Sequence, residues 1–111
     1  MKVYRGVRDI DRCASVLVQR DGRRATPLRM RRDLDNHSPT GLEWGYPGSG
    51  PAQLALALLA DALSDDETAV HLHQRFKWAV VAKLPQERGW QMTEDEVRAH
   101  AARLMAEEQS A

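Results

Sequence analysis

Between Asn36 and Gly50 the chain reads NHSPTGLEWGYPGSG, and this stretch gathers most of the side chains that could do chemistry. His37, Ser38, Thr40 and Glu43 supply an imidazole, two hydroxyls and a carboxylate within seven residues, and Trp44 and Tyr46 supply rings that either stack on a ligand or plug a core. Gly48-Ser49-Gly50 then stands directly ahead of the apolar segment PAQLALALLADAL. Backbone N–H groups at the start of a helix attract negative charge, and glycines let a ligand approach the backbone closely. Phosphate binding is therefore the chemistry this pattern favours, at Gly48, Ser49 and Gly50, with His37, Trp44 and Tyr46 beside them. The glycines match neither a Walker loop nor a dinucleotide fingerprint. Packing offers a competing explanation, in which the glycines only let an apolar helix start tightly against Trp44 and Tyr46.

Two other chemistries are less well served. A hydrolase would use Ser49 or His37, but PGSGP lacks the nucleophile-elbow spacing and no strand runs into it, so no catalytic residue is assigned. Joint metal binding by His71 and His73 is not expected, because residues two apart on a helix point about 200° from one another. His73 falls near an apolar stripe and reads as a packed, hydrogen-bonded histidine. Cys13 is the sole cysteine, which excludes an internal disulfide and any cysteine-based zinc site. Neither a metal nor a cofactor is expected.

The elements that must position these residues follow from periodicity. Val3–Val7 and Ala14–Gln19 read as strands. A three-residue loop Arg20-Asp21-Gly22 then forms a bulged hairpin that pairs Val16 with Thr26 and puts Val16, Val18, Leu28 and Met30 on one face. Pro27 fits only an edge or a bulge. Pro51–Leu63 reads as a central helix capped by Gly50, with only Gln53 and Asp61 polar. Ser64–Glu67 has a capping-box pattern and opens a second helix that runs to about Lys83, with Ala69, Leu72, Phe76, Ala79 and Val80 as its apolar stripe. Gly89–Met92 is a short extended link. Thr93–Glu96 is another capping box, opening a final helix that buries Val97, Ala101, Leu104 and Met105 on one side. The expected fold is one α+β domain over 1–111, in which an N-terminal strand and a β-hairpin form a small antiparallel sheet against about three helices. It comprises a basic β-region (1–32), a Gly/Pro-rich loop (36–50) and a helical region (51–108).

Charge is balanced overall but not along the chain. Residues 1–32 hold ten Lys/Arg against three Asp/Glu, a net of +7, and residues 33–111 hold six against thirteen, a net of −7. Arg29, Arg31 and Arg32 would strengthen an anion site if the hairpin faces the loop. The acidic remainder argues against a broad duplex-binding surface, so nucleic acid is not the expected partner. Trp78 lies beside His71 and Gln74 on what should be the solvated face of the second helix, which points to a partner surface, a homodimer contact among the options. No apolar run approaches the roughly 20 residues that cross a bilayer, and the N-terminus has no secretory signal core, so a cytoplasmic protein is expected.

The motif NHSPTGLEWGYPGSGPAQLALALLADAL, followed by FKWAVVAKLP, GW and MTEDEV and preceded by VYRGVRD, resembles the bacterial domain-of-unknown-function family numbered 6166, also met on phage and plasmid genomes. The likeness spans nearly the whole chain. In that family the position of Pro47 is more usually glycine, so proline here stiffens the turn. The resemblance brings no catalytic residue, cofactor or reaction, and implies only an association with mobile elements and with defence or counter-defence roles. The leading expectation is a non-enzymatic module that binds a phosphate-bearing, nucleotide-like ligand. The rival is a protein–protein interaction domain acting through Trp78 and His71.

Overall fold

A computed structural model describes residues 1–38 and 40–110; Pro39 of the loop motif and Ala111 at the end of the expected domain lie outside the described residues. The chain forms an α+β globule in the order β1 (Val3–Arg8), β2 (Ala14–Gln19), β3 (Thr26–Pro27), α1 (Ser49–Leu63), α2 (Asp66–Ala79), a short 3-10 turn (Val81–Lys83), β4 (Trp90–Thr93) and α3 (Glu94–Ser110). The sheet is antiparallel with strand order β3-β2-β1-β4. Its inner face is built from two cross-strand rows, Val18–Tyr4–Met92 and Val16–Gly6–Trp90.

α1 is the hub. Every residue from Gly50 to Ala60 is buried, and Leu54, Leu56, Leu58 and Leu59 are wholly enclosed by the sheet, α2, α3 and the long loop. Each such leucine contributes roughly 1.5–3 kcal/mol relative to an exposed one. Two polar residues of the helix, Asp61 and Gln53, each tie it to a different layer. Asp61 accepts from the Tyr4 hydroxyl at 2.7 Å and pairs with Lys2 at 3.3 Å, so it holds the sheet. Burial alone would raise the Asp61 carboxyl, but the Tyr4 hydrogen bond and the Lys2 charge outweigh it and keep the group below the ordinary carboxylate value. Gln53 holds the loop.

Several boundaries differ from expectation for local reasons. The hairpin pairs Val18 with Thr26 and Leu17 with Pro27, a register two residues away from the expected Val16–Thr26. The shift is even, so Val16, Val18 and Leu28 still share the buried face. The hairpin loop is correspondingly longer, with its turn closed by Arg23 N–H to Arg20 O, and β3 ends at Pro27 on the sheet edge. α1 starts at Ser49 with Gly48 as its N-cap, so Pro51 occupies the third helical position rather than the first. Ser64 does not cap α2: it takes the left-handed conformation (φ 53°) that ends α1. Asp65 caps α2 instead, accepting from the Thr68 N–H at 3.1 Å.

α2 also stops earlier than Lys83. Val80 leaves helical geometry (φ −124°, ψ −62°), and the Val81 carbonyl is then free to accept the N–H of Gly45 in the loop at 3.1 Å. The expected link Gly89–Met92 contributes β4, which pairs Trp90 opposite Gly6 and Met92 opposite Tyr4. The capping box at Thr93 is present in both directions, Glu96 N–H to Thr93 Oγ1 at 3.1 Å and Thr93 N–H to Glu96 Oε1 at 3.0 Å.

Gly6 is fixed by that pairing. The indole of Trp90 lies over it so closely that a Cβ on residue 6 would overlap the ring nitrogen. Gly6→Ala should therefore cost about 1–3 kcal/mol in urea unfolding. A double-mutant cycle with Trp90→Ala should return a coupling term of at least about 1 kcal/mol, whereas additive losses would mean the ring is not what the methyl group meets.

Candidate functional site

The loop is positioned by one side chain. Gln53 is wholly buried, and its amide satisfies four backbone groups at once. Its Nε2 donates to Met30 O (2.6 Å) and Asp35 O (3.1 Å), and its Oε1 accepts from the N–H groups of His37 (2.8 Å) and Ser38 (3.3 Å). The loop thereby reaches the side of α1 with its polar backbone paired, as a buried segment requires. Ser38 then turns the chain by donating its hydroxyl to Gly41 O at 2.7 Å.

Further along, Glu43 pairs with Arg8, its Oε1 accepting from Nη2 at 2.8 Å and its Oε2 from Nη1 at 3.2 Å. The guanidinium also lies 4.3 Å over the Trp44 ring. Trp44 is 0% exposed, donates its indole N–H to Pro85 O and Arg88 O, and meets Trp90 edge-on at 5.8 Å between centroids. Gly45 has φ 89°, and a side chain there would strike the backbone of Gln86. Tyr46 lays its ring against Gly48.

These contacts leave a cavity of about 310 Å³ ahead of α1, lined by Ser38, Thr40, Glu43, Tyr46, Ser49 and Gly50 among others. The start of α1 differs from those of the other helices. α2 and α3 carry acidic residues in their first turns, and side chains accept their leading N–H groups. α1 has neither an acidic first turn nor a side-chain cap. Ala52 N–H is bonded to Gly48 O and Pro51 has no N–H, so the leading donors of the helix without a partner among the described residues are those of Ser49 and Gly50.

The residues expected to share a site fall in four places. Ser49, Gly50 and Tyr46 line the cavity, with Gly48 directly behind as the N-cap. Arg29 and Arg31 do not join them: they line a cleft with Lys2, Arg20 and Asp61 at the opposite end of α1, about 22 Å along a 15-residue helix. Arg31 is held there by Asp66, through Nη2–Oδ2 at 2.7 Å and Nη1–Oδ1 at 3.0 Å, and by Asp33. These hydrogen bonds, Asp66 first, raise its already high pKa. Arg32 reaches toward the loop by donating to Ser38 O at 3.3 Å. Trp44 belongs to the core and presents no face to a ligand.

His37 is the third departure. Its ring turns away from Ser49 and meets the buried His73, with Nε2 atoms 2.8 Å apart and centroids 4.9 Å apart. Asp35 Oδ2 lies 3.2 Å from the same His37 nitrogen. Burial is the main cause that holds the His73 pKa below the ordinary histidine value, so the ring is neutral near pH 7. The expected splay of the H-x-H pair is observed: His71 points outward and bonds Glu108 Oε1 at 2.6 Å. The 60% exposed Trp78 lies on the same outer side of α2, with Lys77 Nζ 5.2 Å from its ring. The Ser49 hydroxyl hydrogen-bonds no imidazole or carboxylate among the described residues. No helix among them is long and apolar enough to cross a membrane.

Sequence reasoning missed the pairing of His37 with His73 because the two are 36 residues apart and the link depends on how the loop folds back. It also missed the role of Gln53, for which one signal was present: a lone amide in a helix apolar on every other side must have buried partners.

Gln53→Leu removes those partners while keeping the volume. It should cost about 2–4 kcal/mol in urea unfolding and raise hydrogen exchange at the His37 and Ser38 amides well beyond that at α3. Uniform loss of protection would mean the side chain acts on the whole core instead.

The family described as a family of unknown function, DUF6166, matches residues 4–103. Neither a curated protein nor a solved structure matches the chain.

Proposed function

The chain belongs to DUF6166, and from that premise we propose that it is a non-enzymatic binding module whose ligand presents a phosphate or similar anionic group to the N-terminus of α1. The observation that carries this reading is the uncapped start of α1: the N–H groups of Ser49 and Gly50 have no partner among the described residues, and both residues line a cavity shared with Ser38 and Thr40. Helix-dipole attraction for an anion in such a place amounts to about 0.3–2 kcal/mol, to which each N–H and hydroxyl bond adds. The one carboxylate at the rim, Glu43, is already neutralised by Arg8.

The placement of Arg29 and Arg31 at the far end of α1 narrows the ligand. A triphosphate would need several cations at the cavity, so a single phosphate or carboxylate on a small molecule suits it better than a highly charged chain. A cytoplasmic setting, suggested by the apolar pattern of the sequence, and a mobile-element role in defence or counter-defence, suggested by the family resemblance, accompany this reading.

Amide chemical shifts followed during titration with inorganic phosphate and a nucleoside monophosphate test the reading. Saturable shifts are expected at Ser49 and Gly50, smaller ones at Ser38 and Thr40. Ser49→Pro removes one donor N–H and the hydroxyl at a position where helices accept proline, after a Gly48 already in extended geometry. It should weaken binding about tenfold with the melting temperature nearly unchanged. Silence at those amides with both ligands would contradict the proposal.

A second reading rests on Trp78. A tryptophan 60% exposed on a helix that also presents His71 and Gln74 suits a protein partner or a second copy of this chain. Sedimentation equilibrium should then show a dimer that Trp78→Ala converts to monomer, or a monomer whose partner binding is lost in that variant. A monomer with unaltered interactions would remove this reading.

A further inference from the structure

Among the described residues, Asp35, His37 and His73 bring three potential ligand atoms to within 4.8 Å of one another. They come from two elements: Asp35 and His37 from the segment that Gln53 clamps to α1, His73 from the inner face of α2. His73 Nδ1 lies 2.6 Å from the Val70 carbonyl, an acceptor only, so that nitrogen carries the ring proton. The opposite nitrogen, Nε2, is then a bare lone pair aimed at His37. Fixing one ring nitrogen on a backbone carbonyl to orient the other is how ligating histidines are held.

The cluster is short of protons. His73 Nε2 and Asp35 Oδ2 are both acceptors, and both converge on His37 Nε2, which offers at most one hydrogen. A cation supplies what that hydrogen cannot. We propose that Asp35, His37 and His73 bind one divalent transition-metal ion, zinc being the best suited, through two imidazole nitrogens and one carboxylate oxygen.

Two nitrogens bound tetrahedrally at about 2.0–2.1 Å stand roughly 3.3 Å apart, so the pair has to open by about half an ångström from its present 2.8 Å. The partly exposed His37 ring makes that motion, and the buried His73 stays in place. Two nitrogens and one oxygen select zinc, nickel or copper over magnesium and calcium, which take all-oxygen sets. Asp35 is exposed, so the fourth position faces solvent. The bound ion would staple the Asp35–His37 segment to α2. This site is separate from the α1 cavity, and either can fail without the other.

Calorimetric titration of zinc into the full chain, taken from a chelator-treated stock, tests the proposal. One zinc per chain is expected. His37→Gln should lower the affinity about a hundredfold and Asp35→Asn about tenfold or more. Neither change touches the backbone groups that Gln53 binds, and circular dichroism checks that both variants fold. His71→Ala should leave binding unaltered, since that ring lies on the outer face with Glu108. Cobalt should give intense tetrahedral visible bands in the parent chain and lose them in His37→Gln. Failure of the folded chain to take up zinc at about 1 mM, or uptake indifferent to both His37→Gln and Asp35→Asn, would overturn the assignment and leave the contact as a histidine–histidine hydrogen bond.

Discussion

A glutamine amide enclosed by leucines has to find hydrogen-bond partners, because an unpaired buried polar group costs about 1–3 kcal/mol by mutational measure, as much as one of those leucines contributes. Gln53 finds four, all on the backbone of Met30–Ser38. Both candidate sites that the loop helps to build are downstream of that constraint. It sets where His37 turns toward α2, where Ser38 begins the bend to Gly41, and hence which wall of the cavity the loop supplies. The dense backbone punctuation before α1 is the chain's route around this clamp and back to the head of the same helix.

α1 acts as a double-ended tether. Gln53, near its start, fastens the loop, and Asp61, near its end, fastens the sheet through Tyr4 and Lys2. Arg20, Arg29 and Arg31 of the hairpin region share a cleft with Asp61, and the uncapped amides of Ser49 and Gly50 are left at the other end. The opposite net charges of the two halves of the sequence are spent largely on such internal pairs, with Arg8 on Glu43, Arg31 on Asp66 and Lys2 on Asp61. The anion site we propose relies on dipole and hydroxyls more than on formal charge, a consequence of this division.

What the sequence made legible is what depends on neighbours along the chain. Strands β1 and β2, the apolar stripe of α2, the Thr93 capping box and the central character of α1 all follow from local periodicity and capping chemistry. The boundaries that moved turn on geometry that periodicity does not encode: Val80 leaves the helix and the Val81 carbonyl goes to the Gly45 N–H of the loop, and Ser64 serves the end of α1 in place of the start of α2. The hairpin slipped by two residues because patterning fixes which face is buried but not how long the turn is. The candidate sites were legible only in part. Glycines before a helix are visible in one dimension; the meeting of His37 with His73, and the separation of Arg29 and Arg31 from Ser49, are properties of a path through space.

The most direct measurement of the central claim is the scalar coupling transmitted across hydrogen bonds in an isotope-labelled sample, from the His37 amide nitrogen to the side-chain carbonyl carbon of Gln53. A resolved coupling, with the Gln53 side-chain amide protons slow to exchange, is the result this structure requires. No coupling, together with a His37 amide that exchanges as freely as an exposed loop, would mean that the loop is not fastened to α1 by this residue.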